Sequence, residues 1–369
     1  MRIIISAGGT GGHIYPALAI INKIKDMEPD SEILYIGTTD RMENKIIPEK
    51  NIPYLGIEMQ GLNRKNILKN IIVLKKYLKA IKKVKKEIKK FNPDVVIGVG
   101  GYVSAPVIKA AHSLGYKTII HEQNSYPGVS NQTLSKIVDK VLVSLPDSIN
   151  YFPKEKTAYT GNPRSEEITL IKAVPKSQFG FSNSKKLVVI VMGSLGSATM
   201  NEKELELVKE FKNKDYEVLL ITGEKYFNDY KNIDIPKNVK VVPFLSELIN
   251  LLKNTDLIVS RAGASIIAEI TAIGLPSILV PSPYVTNNHQ LKNAKELEKN
   301  EACYIIEEKD FSKDTLIPLI DKILNDKTLY QNMKNKTKKL GVTDSATRVY
   351  NEIKKVVEVD ETWQSFCKK

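Results

Sequence analysis

The chain has 369 residues, 42% of them hydrophobic, and a net charge of +13, which is long enough for two cores of ordinary domain size and excludes a small stapled scaffold. Its two cysteines, Cys303 and Cys367, have no metal-like spacing, so neither a disulfide framework nor a zinc site is expected and a reducing compartment is the default. The longest uncharged apolar stretch, 95–108, is interrupted by Gly98, Gly100, Gly101 and Pro106 and falls short of the roughly 20 residues of a spanning helix.

In chain order, the first residues start like a signal peptide, but Gly8, Gly9, Gly11 and Gly12 break the apolar run, so 2–6 reads as a first strand. Further strands are expected at 32–36, 95–99, 118–121 and 140–143, with helical patterns between them. Between Arg64 and Lys90 stand twelve Lys or Arg and one acid, Glu87, a net +11 that accounts for most of the excess charge. There Ile67, Ile71, Leu74, Leu78, Ile81 and Ile88 recur at helical spacing, a stripe with lysines on the other sides. Such a helix either packs its stripe into the core or meets anionic lipid headgroups, each basic residue near the surface being worth ~1 kcal/mol. Nucleic acid is the weaker match, because only Tyr77 interleaves as an aromatic and no binding module follows.

After a joint at 160–164, Thr-Gly-Asn-Pro-Arg, the pattern repeats with strands at 187–192, 217–222, 239–242, 256–260, 277–280 and 302–306. Short continuous Val/Ile/Leu runs bounded by glycine predict strands buried on both faces, hence two doubly wound, Rossmann-like parallel sheets facing an interdomain cleft. The expected domains are 1–163, joined by a C-terminal helix at 341–357, and 164–340, followed by a tail at 358–369 containing Trp363 and Cys367.

Chemistry belongs where strand C-termini meet helix N-termini, and both halves put glycine there. Gly8-Gly9-Thr10-Gly11-Gly12-His13 follows the first strand, with Pro16 in the first turn of the next helix. It is a poor dinucleotide fingerprint, since the frame from Gly9 has Ile14 where the last glycine belongs. Gly100-Gly101-Tyr102 and His121-Glu122-Gln123-Asn124 close two more strands, and Gly193-Ser194-Leu195-Gly196 repeats the device in the second half. Residues 260–294 outline a nucleotide pocket: a small-residue turn, a helix carrying Glu269 and a polar loop ending in His289 and Gln290. Three of the four histidines, His13, His121 and His289, fall in these loops.

Taken together, Gly9 to His13, Gly100 to Tyr102, His121 to Asn124, Gly161 to Arg164, Gly193 to Gly196 and Ser260 to Ala264 resemble the MurG family. Its members are UDP-N-acetylglucosamine:lipid I N-acetylglucosaminyltransferases of peptidoglycan synthesis and have the GT-B fold. The similarity runs from about Arg2 to Val357, in order. It implies that Thr10, Gly11, Gly12 and Asn124 contact the donor, that Arg164 and Ser194 meet its diphosphate, and that the backbone at Leu245 recognises uracil. Glu269 would hold the ribose hydroxyls, with Ala264 beside it at the helix start. His289 and Gln290 correspond to a pair that reaches the sugar hydroxyls, in a loop one residue longer than in some members. Gly100, Gly101, Tyr102, His121 and Glu122 would lie on the acceptor side.

The reaction the resemblance implies is an inverting transfer to the C4 hydroxyl of the N-acetylmuramoyl-pentapeptide of lipid I, giving lipid II. Its alternative is a transferase of the same fold that moves a hexose from UDP to diacylglycerol. The chain contains no Asp-x-Asp pair, so no metal or other cofactor is called for. His13 is the expected base, having a near-neutral unperturbed pKa at the end of the donor loop. Expected partners are UDP-N-acetylglucosamine, lipid I, an anionic membrane surface on the cytoplasmic face, where the chain would sit peripherally, and other cell-wall synthesis proteins, with no nucleic acid.

Overall fold

The computed structural model describes residues 1–61, 69–193 and 196–366, without the side chains of Lys69 and 359–366. The chain divides into two compact units: Met1–Arg164 with Asp344–Lys369, and Ser165–Thr343. The expected positions Arg64, Ile67, Ser194 and Cys367 lie outside the described residues, as does the side chain of Trp363.

The first unit holds a seven-stranded, all-parallel sheet in the order β3-β2-β1-β4-β5-β6-β7. These strands are Arg2–Ala7 (β1), Glu32–Thr38 (β2), Tyr54–Ile57 (β3), Val95–Gly100 (β4), Lys117–Glu122 (β5), Lys140–Val143 (β6) and Thr157–Tyr159 (β7). The two short outer strands, β3 and β7, extend the set that apolar pattern alone outlines, because at a sheet edge a strand need not be a continuous apolar run. Alternation along β1 feeds both layers. Ile3 and Ile5 pack with the Gly11–Met27 helix, while Ile4 packs with Ala80, Val84 and Ile88 on the other face.

The Ser345–Phe366 helix returns to this unit, with Val349, Tyr350 and Ile353 in the same core layer as Ile3. It continues past Val357, where the sequence pattern places its end. Glu28 gathers its ties: the N-terminal amine (3.2 Å), the Tyr350 hydroxyl (2.8 Å) and Lys354 (3.1 Å). Burial works to raise the Glu28 pKa, but these donors outweigh it and bring it to about 2.

The Lys69–Phe91 helix buries only the C-terminal part of the stripe its spacing suggests, Ile88 and in part Ile81. Val73, Ala80, Val84 and Ile88 face the core, with Tyr77 and Ile81 half-buried against it. Ile71, Leu74 and Leu78 lie on another side, between 56% and 58% exposed, among the exposed Lys75, Lys79, Lys82 and Lys86. Small Ala80 and β-branched Val84 pack in the same core layer as Ile4 of the sheet. The larger Leu74 and Leu78 form a surface ridge.

The second unit holds a six-stranded parallel sheet, β10-β9-β8-β11-β12-β13. Its strands are Leu187–Val191 (β8), Glu217–Ile221 (β9), Val239–Val242 (β10), Leu257–Ser260 (β11), Ser277–Leu279 (β12) and Cys303–Ile305 (β13). In each sheet the strand order reverses once, between β1 and β4 and between β8 and β11. Connections leave to opposite sides at these switch points, which opens a crevice beyond the strand C-termini.

Candidate active site

The glycine loops of the first unit leave the two strands at its switch point. β1 runs into Gly8 to Gly12 and β4 into Gly100 to Tyr102. They touch so closely that a Cβ on Gly101 (φ +79°) would lie 2.3 Å from the Gly8 carbonyl oxygen, and one on Gly100 would strike the His13 ring. His13, two residues into the Gly11–Met27 helix, is thereby packed on bare backbone. Its Nδ1 lies 3.1 Å from the Gly8 carbonyl oxygen. A carbonyl only accepts, so Nδ1 carries the proton, and in the neutral ring Nε2 carries the lone pair.

Thr10 is exposed and Gly11 and Gly12 are half-buried. Beside them the Arg164 guanidinium lies 5.6 Å from the centre of the Tyr15 ring, which also packs against Gly11. The Arg164 backbone N–H donates to Asn162 Oδ1 at 3.1 Å, so the joint holds Arg164 near the first glycine loop.

Glu43 carries a further part of this site that sequence reading passes over. Completely buried, it accepts from the Thr38 backbone N–H (3.0 Å), the Thr38 hydroxyl (2.7 Å) and the Gly9 backbone N–H (3.1 Å). A Cβ on Gly8 would stand 2.2 Å from its Oε1. The signal available in the sequence was one of two acids, with Asp40, in the run 38–45 that follows β2.

His121 and Glu122 were expected on the acceptor side; the structure buries both and pairs them with internal partners. His121 Nε2 donates to the Gly161 carbonyl (3.2 Å), and its Nδ1 accepts from the Gln123 amide (2.9 Å). Burial drops its pKa to about 4 against the opposing Gly161 bond, so the ring is a neutral brace between β5 and the 160–164 joint. Glu122 accepts from the Asn124 backbone (3.0 Å) and side chain (3.1 Å), from Gly128 N–H (3.1 Å) and from Asn131 (2.8 Å). Asn124, half-buried, is aimed by that hub. Tyr102 is half-buried next to Arg41, whose pKa is raised by the neighbouring phenol first and by the charges of Asp40 and Glu43.

In the second unit β8 leads to Gly193 (φ +104°) and Gly196, where a Cβ would meet the Thr222 carbonyl oxygen at 2.2 Å. β11 leads to Gly263, the N-cap of the Ala264–Ile273 helix. No side chain caps that helix and no acid stands in its first turn, so the N–H groups at Ala264 and Ser265 present partial positive charge. The Ser265 hydroxyl is buried without a protein partner. Glu269, half-buried, follows on the same helix. Leu245 is half-buried in the loop after β10, next to the exposed Phe244.

His289 and Gln290 open the His289–Lys299 helix. Two consecutive left-handed residues, Asn287 (φ 55°) and Asn288 (φ 52°), turn the chain into it. Gln290 Oε1 accepts from the Ser282 N–H at 2.8 Å, which assigns hydrogen-bond donation toward a ligand to its amide NH₂. His289 Nδ1 donates to the Thr286 carbonyl at 2.9 Å.

Arg261, from the same motif, does not point outward. It is buried and binds Glu308 (2.5 Å), the Val280 carbonyl (3.2 Å) and Ser197 Oγ (3.1 Å). Thr199 donates to the other Glu308 oxygen at 2.6 Å. Behind this cluster burial raises the Glu204 pKa to about 8, against the opposing charge of Arg261, so that carboxyl is largely protonated at neutral pH. Among the described residues no three His, Cys, Asp or Glu side chains gather as metal ligands would.

Residues 3–143 match the glycosyltransferase family 28 N-terminal domain and residues 187–349 the family's C-terminal domain. The chain is 45% identical over 361 residues to a Bacillus pumilus protein, covering 96% of this chain and 99% of that one, and 46% identical over 363 residues to one from Bacillus cereus, covering 97% and 100%. Both are named UDP-N-acetylglucosamine-N-acetylmuramyl-(pentapeptide) pyrophosphoryl-undecaprenol N-acetylglucosamine transferase. The crystal structure of Acinetobacter baumannii MurG is similar with a TM-score of 0.78 at 28% identity, over 96% of this chain and 99% of that one.

Proposed function

The chain belongs to glycosyltransferase family 28, and on that premise we infer that it transfers N-acetylglucosamine from UDP-N-acetylglucosamine to the N-acetylmuramyl-pentapeptide carried on undecaprenyl pyrophosphate. Near-full-length similarity to enzymes of that name carries this reading. The chemistry at the two switch points supports it.

Transfer with inversion at the anomeric carbon asks for two things: stabilisation of the departing diphosphate and a base for the attacking C4 hydroxyl. In the second unit, the uncapped start of the Ala264–Ile273 helix suits the diphosphate, and the buried Ser265 hydroxyl suits one of its oxygens. Arg164 adds an always-charged fork. Glu269 accepts from the ribose diol, Leu245 offers backbone to uracil, and His289 and Gln290 donate to the sugar hydroxyls. Thr10, Gly11, Gly12 and Asn124 contact the sugar from the first unit, and Gly100, Gly101 and Tyr102 line the acceptor side. His13, with its lone pair on Nε2, takes the hydroxyl proton.

Radiolabel transfer from UDP-N-acetylglucosamine to a lipid I analogue tests the reading, with UDP-glucose and diacylglycerol as control donor and acceptor. No label in the lipid I product, or faster labelling of diacylglycerol, would reject it.

The acceptor's polyprenyl chain sits in a bilayer, and no described helix is long and apolar enough to cross one. The ridge of Ile71, Leu74 and Leu78 among exposed lysines fits peripheral docking to an anionic cytoplasmic surface, apolar side chains entering the headgroup boundary. Changing Lys75, Lys79, Lys82 and Lys86 to Glu is expected to weaken binding to phosphatidylserine-containing vesicles by at least ~100-fold, with transfer to a short-chain soluble acceptor within about twofold of wild type. Vesicle binding that stays at the wild-type level removes this helix from the membrane surface.

A further inference from the structure

Glu43 and His13 never touch, yet one peptide group joins them. Glu43 Oε2 accepts from the Gly9 N–H at 3.1 Å, and the Gly8 carbonyl of that same peptide accepts from His13 Nδ1 at 3.1 Å. In a trans peptide the N–H and C=O point in opposite directions, so carboxylate, peptide and imidazole form one polarised line. We propose that Glu43 is the positioning residue of the base: through the Gly8–Gly9 peptide it holds His13 with the proton on Nδ1 and the lone pair on Nε2, and makes that ring the stronger proton acceptor. This rests on the reading of His13 as the base.

Chemically, Nε2 takes the proton of the C4 hydroxyl as that oxygen bonds to the anomeric carbon. The bond to the diphosphate oxygen breaks, and its electron pair leaves with UDP. The proton on Nδ1 stays where it is. The positive charge that develops on the ring is met by a Gly8 carbonyl whose dipole Glu43 has already strengthened, which is what a directly bonded carboxylate does in a Ser-His-Asp arrangement.

The surroundings suit this role. Glu43 is completely buried, and its other oxygen is anchored by the Thr38 N–H and hydroxyl, so its direction is set. Gly8 must be glycine because a Cβ would overlap the carboxylate. Behind Glu43 stand Tyr35 and Tyr54, whose hydroxyls donate to the Ala7 and Thr38 carbonyls; burial first, and the Glu43 charge second, keep both protonated. Arg41 and Asp40 flank the carboxylate on the loop side, Arg41 also reaching Tyr102. Thr10 Oγ1 lies 3.5 Å from His13 Nδ1, and two residues along the same helix Tyr15 stacks with the Arg164 guanidinium.

The test is nitrogen-15 NMR of histidine-labelled full-length protein, read beside the pH profile of transfer, in wild type, Glu43→Gln and His13→Ala. The chain has four histidines, and the signal lost in His13→Ala identifies the ring. Wild type is expected to show the Nδ1–H tautomer. In Glu43→Gln, the His13 pKa is expected to fall by about 0.5–1 unit and tautomers to mix. The acid limb of kcat should move down by the same amount and the plateau drop ~10-fold, with KM for UDP-N-acetylglucosamine within about twofold. An Nε2–H tautomer in wild type overturns the proposal without any variant. So does a Glu43→Gln protein whose His13 pKa and tautomer are unchanged, even if it turns over poorly. Those results leave the base reading intact when His13→Ala is inactive; full turnover in His13→Ala fails the base reading itself.

Discussion

Replacing His13 with Ala lowers kcat for sugar transfer by about 10²–10⁴-fold, the usual contribution of a positioned general base, while KM for the nucleotide sugar changes little. The ring packs on Gly100 and donates from Nδ1 to Gly8, both backbone features, so its removal leaves the glycine loop without a hole in a core. Loss of turnover then reports chemistry rather than unfolding. Wild-type kcat should fall on the acid side as the ring protonates, because the imidazolium has no lone pair to offer. In His13→Ala that limb disappears. Steady-state transfer from pH 5 to 9 checks both; wild-type turnover with an unshifted profile ends the assignment.

The second large effect concerns stability. Arg261→Ala is expected to cost the second unit about 3–5 kcal/mol, because it strands a buried carboxylate. Glu308 is 6% exposed and loses its 2.5 Å cation, while Ser197 and the Val280 carbonyl lose a donor. Burial pushes the Glu308 pKa up, but the Thr199 hydroxyl and Arg261 prevail and hold it below the usual carboxylate range. A depressed folded pKa contributes stability above the unfolded value and loses it as pH falls through the folded one. Wild type should therefore lose this contribution on acidification, and Arg261→Ala should lack it at neutral pH already. Urea midpoints at pH 7 and pH 4 measure the difference. The double variant Arg261→Met with Glu308→Leu should recover much of the loss, since apolar replacement of a buried ion pair is often neutral. A wild-type midpoint in Arg261→Ala at pH 7 would remove the pair from the stability of this unit.

Arg261 also shows where sequence reading stops. Its motif, Ser260 to Ala264, leads into a helix start, and an arginine in such a turn reads as a phosphate ligand just as readily as a brace. Its direction depends on Glu308, 47 residues further on, arriving beside β11. The internal ties of His121 and Glu122 escape sequence reading for the same reason. A histidine and an acid at a strand end look like ligands, and only the joint at Gly161 and the turn at Asn131 reveal them as internal partners. Glu43 was not singled out at all. Nothing in the run 38–45 distinguishes it from a solvated acid until β2 lies parallel to β1 and carries it under Gly8 and Gly9.

Local patterning determined a good deal by itself. Continuous β-branched runs ending in glycine specify buried parallel strands, and glycine between a strand and a helix specifies where backbone must stay open, so the two α/β halves and their loops were legible residue by residue. Pairing was not. Strand order, and with it the two switch points, results from long-range contacts that no local window contains. The same holds for the Lys69–Phe91 helix, whose period announced an amphipathic element but not which apolar side turned inward. Tertiary packing put Ala80, Val84 and Ile88 into the core layer with Ile4 and left Ile71, Leu74 and Leu78 in solvent.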